Sequence, residues 1–542
     1  MTAFTGTGRL VRLALRRDRV QLPVWLAGLA LLTAFTAPSV IEFYPTEAER
    51  VEVTISSSNS PVFLMTNGLV SGASIGAMVA AQGLLILAIG AAFMSTLAVV
   101  RHTRQNEETG RAELIGAGIV GRHASLTAAL IVVVAANIVL GLLTALVLIG
   151  NDLPAGGSYA LGAAVGAAGI AFAAITAVAA QVFDGTRATN GIAAAAIGVA
   201  FLLRATGDAT GKVVDGGIRV VSAWPSWLSP IGWAQQIRPY DRDDWWVLAL
   251  FVVAFAGLVG LAFELTQHRD VGAGMRASRP GPARAPAGLL SPLGLAWRLQ
   301  RGVLLGWAIG LTATGFAYGG VGDEIEDFAA KGSTTADVLA DYGSASASLT
   351  DNYFAATFVM IGFIAAGYTV QALLRMRSEE AAGTVESVLA TAVSRPRWMA
   401  SHITVALLGT ALILALNGLA TGLTYGVIIA DVGGQVATMT GAALVQLPAT
   451  VALAGFVVAV FGLVPRRAVA LAWAGFTVCL VFSWLGPVLG LSQAVQDLSP
   501  FAHLPAAPVE DVTAWPLAAL GGVAAALVAL GVGAFRHRDL AI

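Results

Sequence analysis

The sequence is poor in the groups that most protein chemistry needs. Cysteine occurs once in 542 residues, at Cys479, which excludes a disulfide framework and any cysteine-ligated zinc or iron–sulfur centre. Charged residues make up 12% of the chain, against ~25% in average soluble proteins. With 57% hydrophobic residues and a mean hydropathy of +0.77, that scarcity excludes an ordinary soluble domain. The net charge of −1 excludes a generally basic nucleic-acid binder. Only Lys212 and Lys331 among the 31 basic residues are lysines, a bias that reads as codon usage of a GC-rich genome.

What is abundant is apolar length. A membrane span needs roughly 20 mostly apolar residues, and twelve such stretches are present. They start near Leu22, Gly72, His123, Ser158, Asn190 and Trp245, then near Gly302, Tyr353, Ser401, Val436, Ala468 and Ala514. Many glycines and alanines suit packed membrane helices, which need small side chains where backbones approach. The fold class expected is an all-α polytopic membrane protein with about twelve transmembrane helices as two parallel six-helix repeats. With an even number of spans both termini share one side, and 24 of the 31 basic residues fall there. The positive-inside rule makes that side cytoplasmic. The first span is read as a retained helix, since the same basic-then-apolar pattern recurs in mid-chain.

The two halves align. Leu13, Arg16, Arg19 and Trp25 match Leu295, Arg298, Arg301 and Trp307. Arg104, Gly110, Glu113 and Arg122 match Arg377, Gly383, Glu386 and Arg395, at an offset of 273. Leu228-Ser229-Pro230 matches Leu498-Ser499-Pro500, and His268-Arg269-Asp270 matches His537-Arg538-Asp539. The organisation expected is a first six-span half at 1–265, a cytoplasmic linker at 266–290 and a second half at 291–542. Parallel repeats of this kind are related by an axis along the membrane normal.

Several features bear on function. Arg9, Arg12, Arg16 and Arg19 share one face of a segment 4–20, the pattern of an interfacial amphipathic helix; residues 291–301 repeat it in shorter form. The loops after the second and eighth spans both carry Gly-x2-Glu-x8-Arg behind an acidic pair, Glu107-Glu108 in one and Glu379-Glu380 in the other. Arg104 to Glu108 and Arg375 to Glu379 have the spacing of helical ion pairs. The expectation is a short cytoplasmic helix in each half with carboxylates and guanidinium groups available for docking. Trp224, Trp227, Trp233, Trp245 and Trp246 crowd one outer loop, as suits a membrane–water boundary. Within the spans, Gln82, Asn137, Asn190, Asn417 and Gln446 are the clearest polar residues and read first as interhelical hydrogen-bond partners.

Motifs for chemistry are missing. There is no Walker A sequence: Gly207-Asp-Ala-Thr-Gly211-Lys212 is a residue short, lacks the Ser/Thr and falls on the outer side. No loop is long enough for an ATPase domain, the six histidines lack metal-ligand spacing, and no nucleophile–base constellation stands out. The spans hold no deep acidic residue, which argues against a proton-coupled carrier.

The segment Glu379-Glu380-Ala-Ala-Gly383-Thr384-Val-Glu386-Ser-Val-Leu389, continuing to Arg395, resembles the coupling loop of type-2 ABC exporter permeases. Ala392 stands where that family usually has proline, and Arg111 takes the Thr position in the looser first-half copy. Over its full length the chain resembles the branch of that family that exports polyketide antibiotics, of the tetronasin kind. The resemblance implies a permease without an active site or cofactor of its own, in a bacterial cell membrane. It implies a separately encoded ATPase, two copies per permease, holding ATP and Mg. The ATPase-coupling residues would be Arg104, Glu107, Glu108, Gly110, Glu113 and Arg122, with Arg377, Glu379, Glu380, Gly383, Glu386 and Arg395 in the second half. A hydrophobic or amphipathic substrate would cross between the halves, lined by spans 1, 2, 5, 7, 8 and 11. Met78, Gln82, Phe93, Phe354, Phe358 and Phe363 are candidates for that lining. The rival readings are a secondary drug antiporter and a non-transporting membrane receptor or immunity protein.

Overall fold

The computed structural model describes residues 2–270, 272–275, 283–322, 348–486 and 491–540. Among them, twelve helices are long and apolar enough to cross a membrane. The chain divides into two compact units, Met1–Gly281 and Pro282–Ile542. The division falls inside the expected linker 266–290, of which residues 271 and 276–282 lie outside the described residues.

The first unit opens with the amphipathic helix α1 (Thr7–Arg17), followed by the span α2 (Gln21–Phe43). Two short helices come next, α3 (Glu47–Asn59) and α4 (Pro61–Thr66). The start of α3 is fixed by a capping box between Thr46 and Glu49, which satisfies two otherwise orphaned amides. The second span is α5 (Ile75–His102), and the loop after it folds into α6 (Arg104–Glu108) and α7 (Arg111–Gly116). Spans α8 (Ala124–Ile149), α9 (Ala155–Val182) and α10 (Thr186–Ala209) follow. A two-stranded hairpin, β1 (Lys212–Val214) and β2 (Arg219–Val221), leads to the short α11 (Pro230–Gln236) and the sixth span α12 (Leu248–Gln267).

The second unit starts with α13 (Pro292–Val321), then α14 (Leu349–Leu373). Its loop helices are α15 (Arg375–Ala381) and α16 (Thr384–Leu389). The third span α17 (Arg395–Ile428) precedes a fourth broken at Gln446 into α18 (Val432–Val445) and α19 (Leu447–Leu463). Pro448 sits in the first turn of α19, where its missing N–H does least harm. Spans α20 (Ala468–Leu480) and α21 (Ala514–His537) complete the unit.

One expected element differs. Residues 291–301 do not form a separate interfacial helix; they are the first turns of the continuous α13. In the first unit the chain leaves the helix at Asp18, whose buried carboxylate lies against His102 and Arg101. The matching residue is Gln300, which stays helical while its amide reaches His402 Nδ1 at 3.1 Å.

Close helix approach depends on glycine pairs. A Cβ on Gly141 or Gly162 would run into the facing backbone carbonyl of the other, across α8 and α9. Across α19 and α21, a Cβ on Gly462 would meet the Gly531 carbonyl, and one on Gly531 the Val458 carbonyl. Two of the polar residues in the spans are interhelical partners as expected. Asn137 donates to Ser95 Oγ at 2.8 Å, and Asn417 to the Leu311 carbonyl at 2.8 Å. The repeated Leu-Ser-Pro also acquires a role: Ser229 donates to the Ala200 carbonyl of α10, and Ser499 to the Cys479 carbonyl of α20. Each pins an outer loop to the fifth span of its unit. The Gly207–Gly211 stretch forms no phosphate loop; Gly207 lies at the end of α10, and Asp208 beside it is buried against Ser222 and Ser226.

Overpacking a tight site costs typically ~1–3 kcal/mol. Gly162→Val is therefore expected to lower the thermal midpoint of the purified protein by several degrees. Gly191→Val, at an exposed α10 position with nothing near its Cβ, should leave it unchanged. Equal midpoints for the two variants would remove the close-approach argument.

Candidate functional site

The repeated loops form the site. Gly110 and Gly383 both have φ of +70°, in the left-handed region, with open space around any added Cβ. The glycine is thus required by the turn itself and not by crowding. It lets the chain reverse between α6 and α7, and between α15 and α16. Beyond the turn, Glu113 and Glu386 lie in the first turns of α7 and α16, and both are exposed.

Before the turn the charges point inward. Arg104 is wholly buried. It donates to the Ala180 carbonyl, to the Gln181 carbonyl at 3.4 Å, and to Glu107 at 2.6 Å. The two carbonyls belong to the last turn of α9, where helix carbonyls lack partners and carry the negative end of the helix dipole. Arg269, just past α12, grips the same Glu107 carboxylate with two hydrogen bonds of 2.7 and 3.0 Å. It also donates to Gln181 Oε1 at 2.6 Å. One carboxylate therefore joins the loop after the second span to the ends of the fourth and sixth.

The second unit repeats the arrangement. Glu380 is wholly buried between Arg377 at 3.4 Å and Arg538, whose two bonds are 2.6 and 3.1 Å. Arg538 donates as well to the Phe461 carbonyl in the last turn of α19, at 3.3 Å. Its guanidinium lies over the rings of Phe461 and Phe535, 5.2 and 4.9 Å from their centroids. The loop arginines after α7 and α16 act alike: Arg122 donates to the Gln267 carbonyl at 3.4 Å, and Arg395 to the Phe535 carbonyl at 3.3 Å. Both cap the C-terminal end of the sixth helix of their unit.

The acidic pairs are equivalent at one member only, Glu107 and Glu380. Arg104 pairs with Glu107, not with Glu108 as its spacing suggested, because α6 is five residues long and its buried arginine turns toward α9. Glu108 instead accepts from the Thr186 amide at 2.7 Å, at the start of the fifth span. Glu379 pairs with Arg375 at 3.0 Å, as its spacing suggested, and lies 3.6 Å from His402. Arg269 and Arg538 were not among the residues put forward from the sequence. Their signal was the repeated His-Arg-Asp, placed after the sixth and twelfth spans.

Of the residues put forward for compound contact, Phe354 and Phe358 are fully buried in the second unit, and Phe354 packs on Tyr425 at 4.9 Å. Phe363 is buried against Phe501 at 4.1 Å, and Met78 is buried in the first unit. Gln82 is half-buried, and Phe93 is exposed.

Residues 289–536 match the family model described as "Multidrug efflux system permease Rv1217c, C-terminal domain". Over nearly its full length the chain is similar to the multidrug efflux system permease protein Rv1217c of Mycobacterium tuberculosis. The two are 42% identical over 546 aligned residues, which cover 99% of this chain and 96% of the relative.

Breaking a buried ion pair by removing one partner typically costs ~3–5 kcal/mol. Arg538→Ala should accordingly destabilise the protein far more than Glu386→Gln. In a double-mutant cycle with Glu380→Gln, measured by thermal melting, the two losses should be clearly non-additive; additivity would mean that the pair does not interact. A left-handed conformation costs non-glycine residues roughly 1–2 kcal/mol. Gly383→Val should thus destabilise the protein more than Gly383→Asn, since asparagine tolerates that region.

Proposed function

This chain belongs to the family of multidrug efflux system permeases, and from that premise we propose that it is the transmembrane subunit of an ATP-driven exporter. It works with a separately encoded ATPase and moves hydrophobic or amphipathic compounds, antibiotics among them, out of the cell. The observation that carries this reading is the repeated loop. Each unit exposes a glutamate on a short helix behind a positive-φ glycine, and the carboxylate before that glycine, part-buried at Glu107 and buried at Glu380, ties the loop to the ends of its fourth and sixth spans. Such a helix suits docking on one side and transmission on the other.

In this reading one ATPase subunit docks on α7 and a second on α16, each holding its own ATP and Mg. The excess of basic residues on the loop side supports a cytoplasmic position for both. ATP binding closes the ATPase pair and displaces α7 and α16. Because Glu107 and Glu380 join those loops to the spans, the displacement reaches the bundle as a rigid movement. Compound binding shifts this cycle only as far as its affinity differs between the two states. Gln82 and Phe93 have surface available to a compound, whereas Met78, Phe354, Phe358 and Phe363 reach one only after their helices rearrange.

The test is ATP hydrolysis in lipid discs, by the permease alone and with the ATPase encoded beside it. The reading predicts none from the permease alone, and compound-stimulated hydrolysis from the pair. Glu386→Lys should reduce ATPase co-purification more than Glu113→Lys, because the second loop is the closer match to the exporter motif. A permease that pumps without any ATPase, or unchanged co-purification with both reversals, would overturn it.

A further inference from the structure

One cleft in the first unit adjoins the clamp around Glu107 without including its carboxylate. It has a volume of about 440 Å³ and lies where α1, α7 and the first turns of α8 meet the end of α5. Arg16, Arg17 and Arg111 line it, and no aspartate or glutamate does. Arg17 donates to Asn106 Oδ1 at 2.5 Å. Its pKa is held below the ordinary arginine value by burial, and then by the like charges of Arg101 and Arg111, against a smaller opposing pull from Asp18. Asp18 is already committed to Arg101 at 3.1 Å and to His102 at 2.5 Å. The cleft therefore has a surplus of positive charge next to an apolar wall formed by Leu10, Leu13 and Ile115.

The second unit shows that the fold does not need this cleft. At the repeat offset of 273, Ser125 and Ala129 of the cleft correspond to Trp398 and His402, and Arg111 to Thr384. Trp398 is wholly buried and packs edge-on against His402 with ring centroids 5.0 Å apart. Arg17 corresponds to Leu299 at the offset of 282. The first unit thus has small residues where the second has Trp398 and His402, and two of its three cleft arginines, Arg17 and Arg111, stand where the second has Leu299 and Thr384, while Arg16 is matched by Arg298.

The level of the cleft identifies its occupant. It is bounded by the last turn of α5, the first turns of α8 and the helix that precedes α2, so it sits where three spans leave the apolar layer. Leu13 lines it and is half exposed, which leaves a path from the arginines along α1. Basic pockets between spans at this level suit anionic lipid headgroups. We propose that this cleft binds one anionic phospholipid, its phosphate on Arg17 and Arg111 and its glycerol and acyl portion along Leu10, Leu13 and Ile115. The lipid would lock α1 against α7, the proposed ATPase-docking helix of this unit. Binding itself does not rest on the exporter reading; only the placement of the lipid beside an ATPase-docking helix does.

The test uses the full chain in detergent with added dioleoyl phosphatidylglycerol, dioleoyl phosphatidylcholine or inorganic phosphate. Retained lipid is counted by native mass spectrometry, and thermal midpoints are followed in parallel. The wild type should retain one phosphatidylglycerol that phosphatidylcholine does not replace, and should gain thermal stability from it. Arg17→Gln with Arg111→Gln should cut that retention at least tenfold. Ser125→Trp, which installs the second unit's residue in the cleft without altering a charge, should do the same. Equal retention of phosphatidylglycerol by the wild type and both variants would overturn the proposal. A stability gain reproduced by inorganic phosphate alone would also overturn it, in favour of a soluble anion.

Discussion

A carboxylate held by two arginines, part-buried in the first half and wholly buried in the second, organises each half of this protein. An isolated buried charge costs several kcal/mol unless its partners are well placed. Glu107 meets that demand with Arg104 and Arg269, and Glu380 with Arg377 and Arg538. Two guanidinium groups on one carboxylate leave a surplus positive charge. The carbonyls at the end of the fourth span, which carry roughly half a negative charge in a helix dipole, offset part of it. Ala180 and Phe461 supply such carbonyls in the two units. The clamp and the helix terminus are therefore one electrostatic unit, and the loop cannot shift without disturbing the ends of the fourth and sixth spans.

The repeat preserves this clamp while its surroundings diverge. The first unit breaks its opening helix at Asp18 and opens a basic cleft behind it; the second keeps α13 continuous and places Trp398 and His402 at the matching positions. Glu108 ties the first loop to the fifth span, whereas Glu379 ties the second to Arg375 and His402. A shared central interaction with different supports suits the proposed docking on α7 and α16, the same task performed with unequal strength.

Much of the architecture was legible because apolar length and small-residue content are strong signals. Ten of the twelve spans began within about four residues of their expected positions; the ninth starts six residues early, at Arg395, and the seventh ten early, where α13 starts at Pro292 rather than near Gly302. That departure has a local cause, Gln300 in place of the helix-ending Asp18. Gly110 and Gly383 were legible because a repeated glycine between charged segments implies a special backbone angle. The helix α3 was missed although Thr46 and Glu49 spell its capping box. The clamp was half legible. The loop carboxylates stood out, but their partners lie 162 and 158 residues away, and spacing along one helix cannot reveal such a pair. The same rule suggested Arg104 with Glu108, where burial selected Glu107 instead.

The central claim is that the clamp transmits force between the docked loops and the spans. Lysine in place of Arg269 and Arg538 keeps the charge but loses the paired hydrogen bonds. The most direct measurement is compound-stimulated ATP hydrolysis by this double variant with the proposed partner ATPase in lipid discs, alongside its ATPase co-purification. The account predicts that co-purification persists while stimulation by compound is lost. Stimulation at the wild-type level in a properly docked double variant would contradict it.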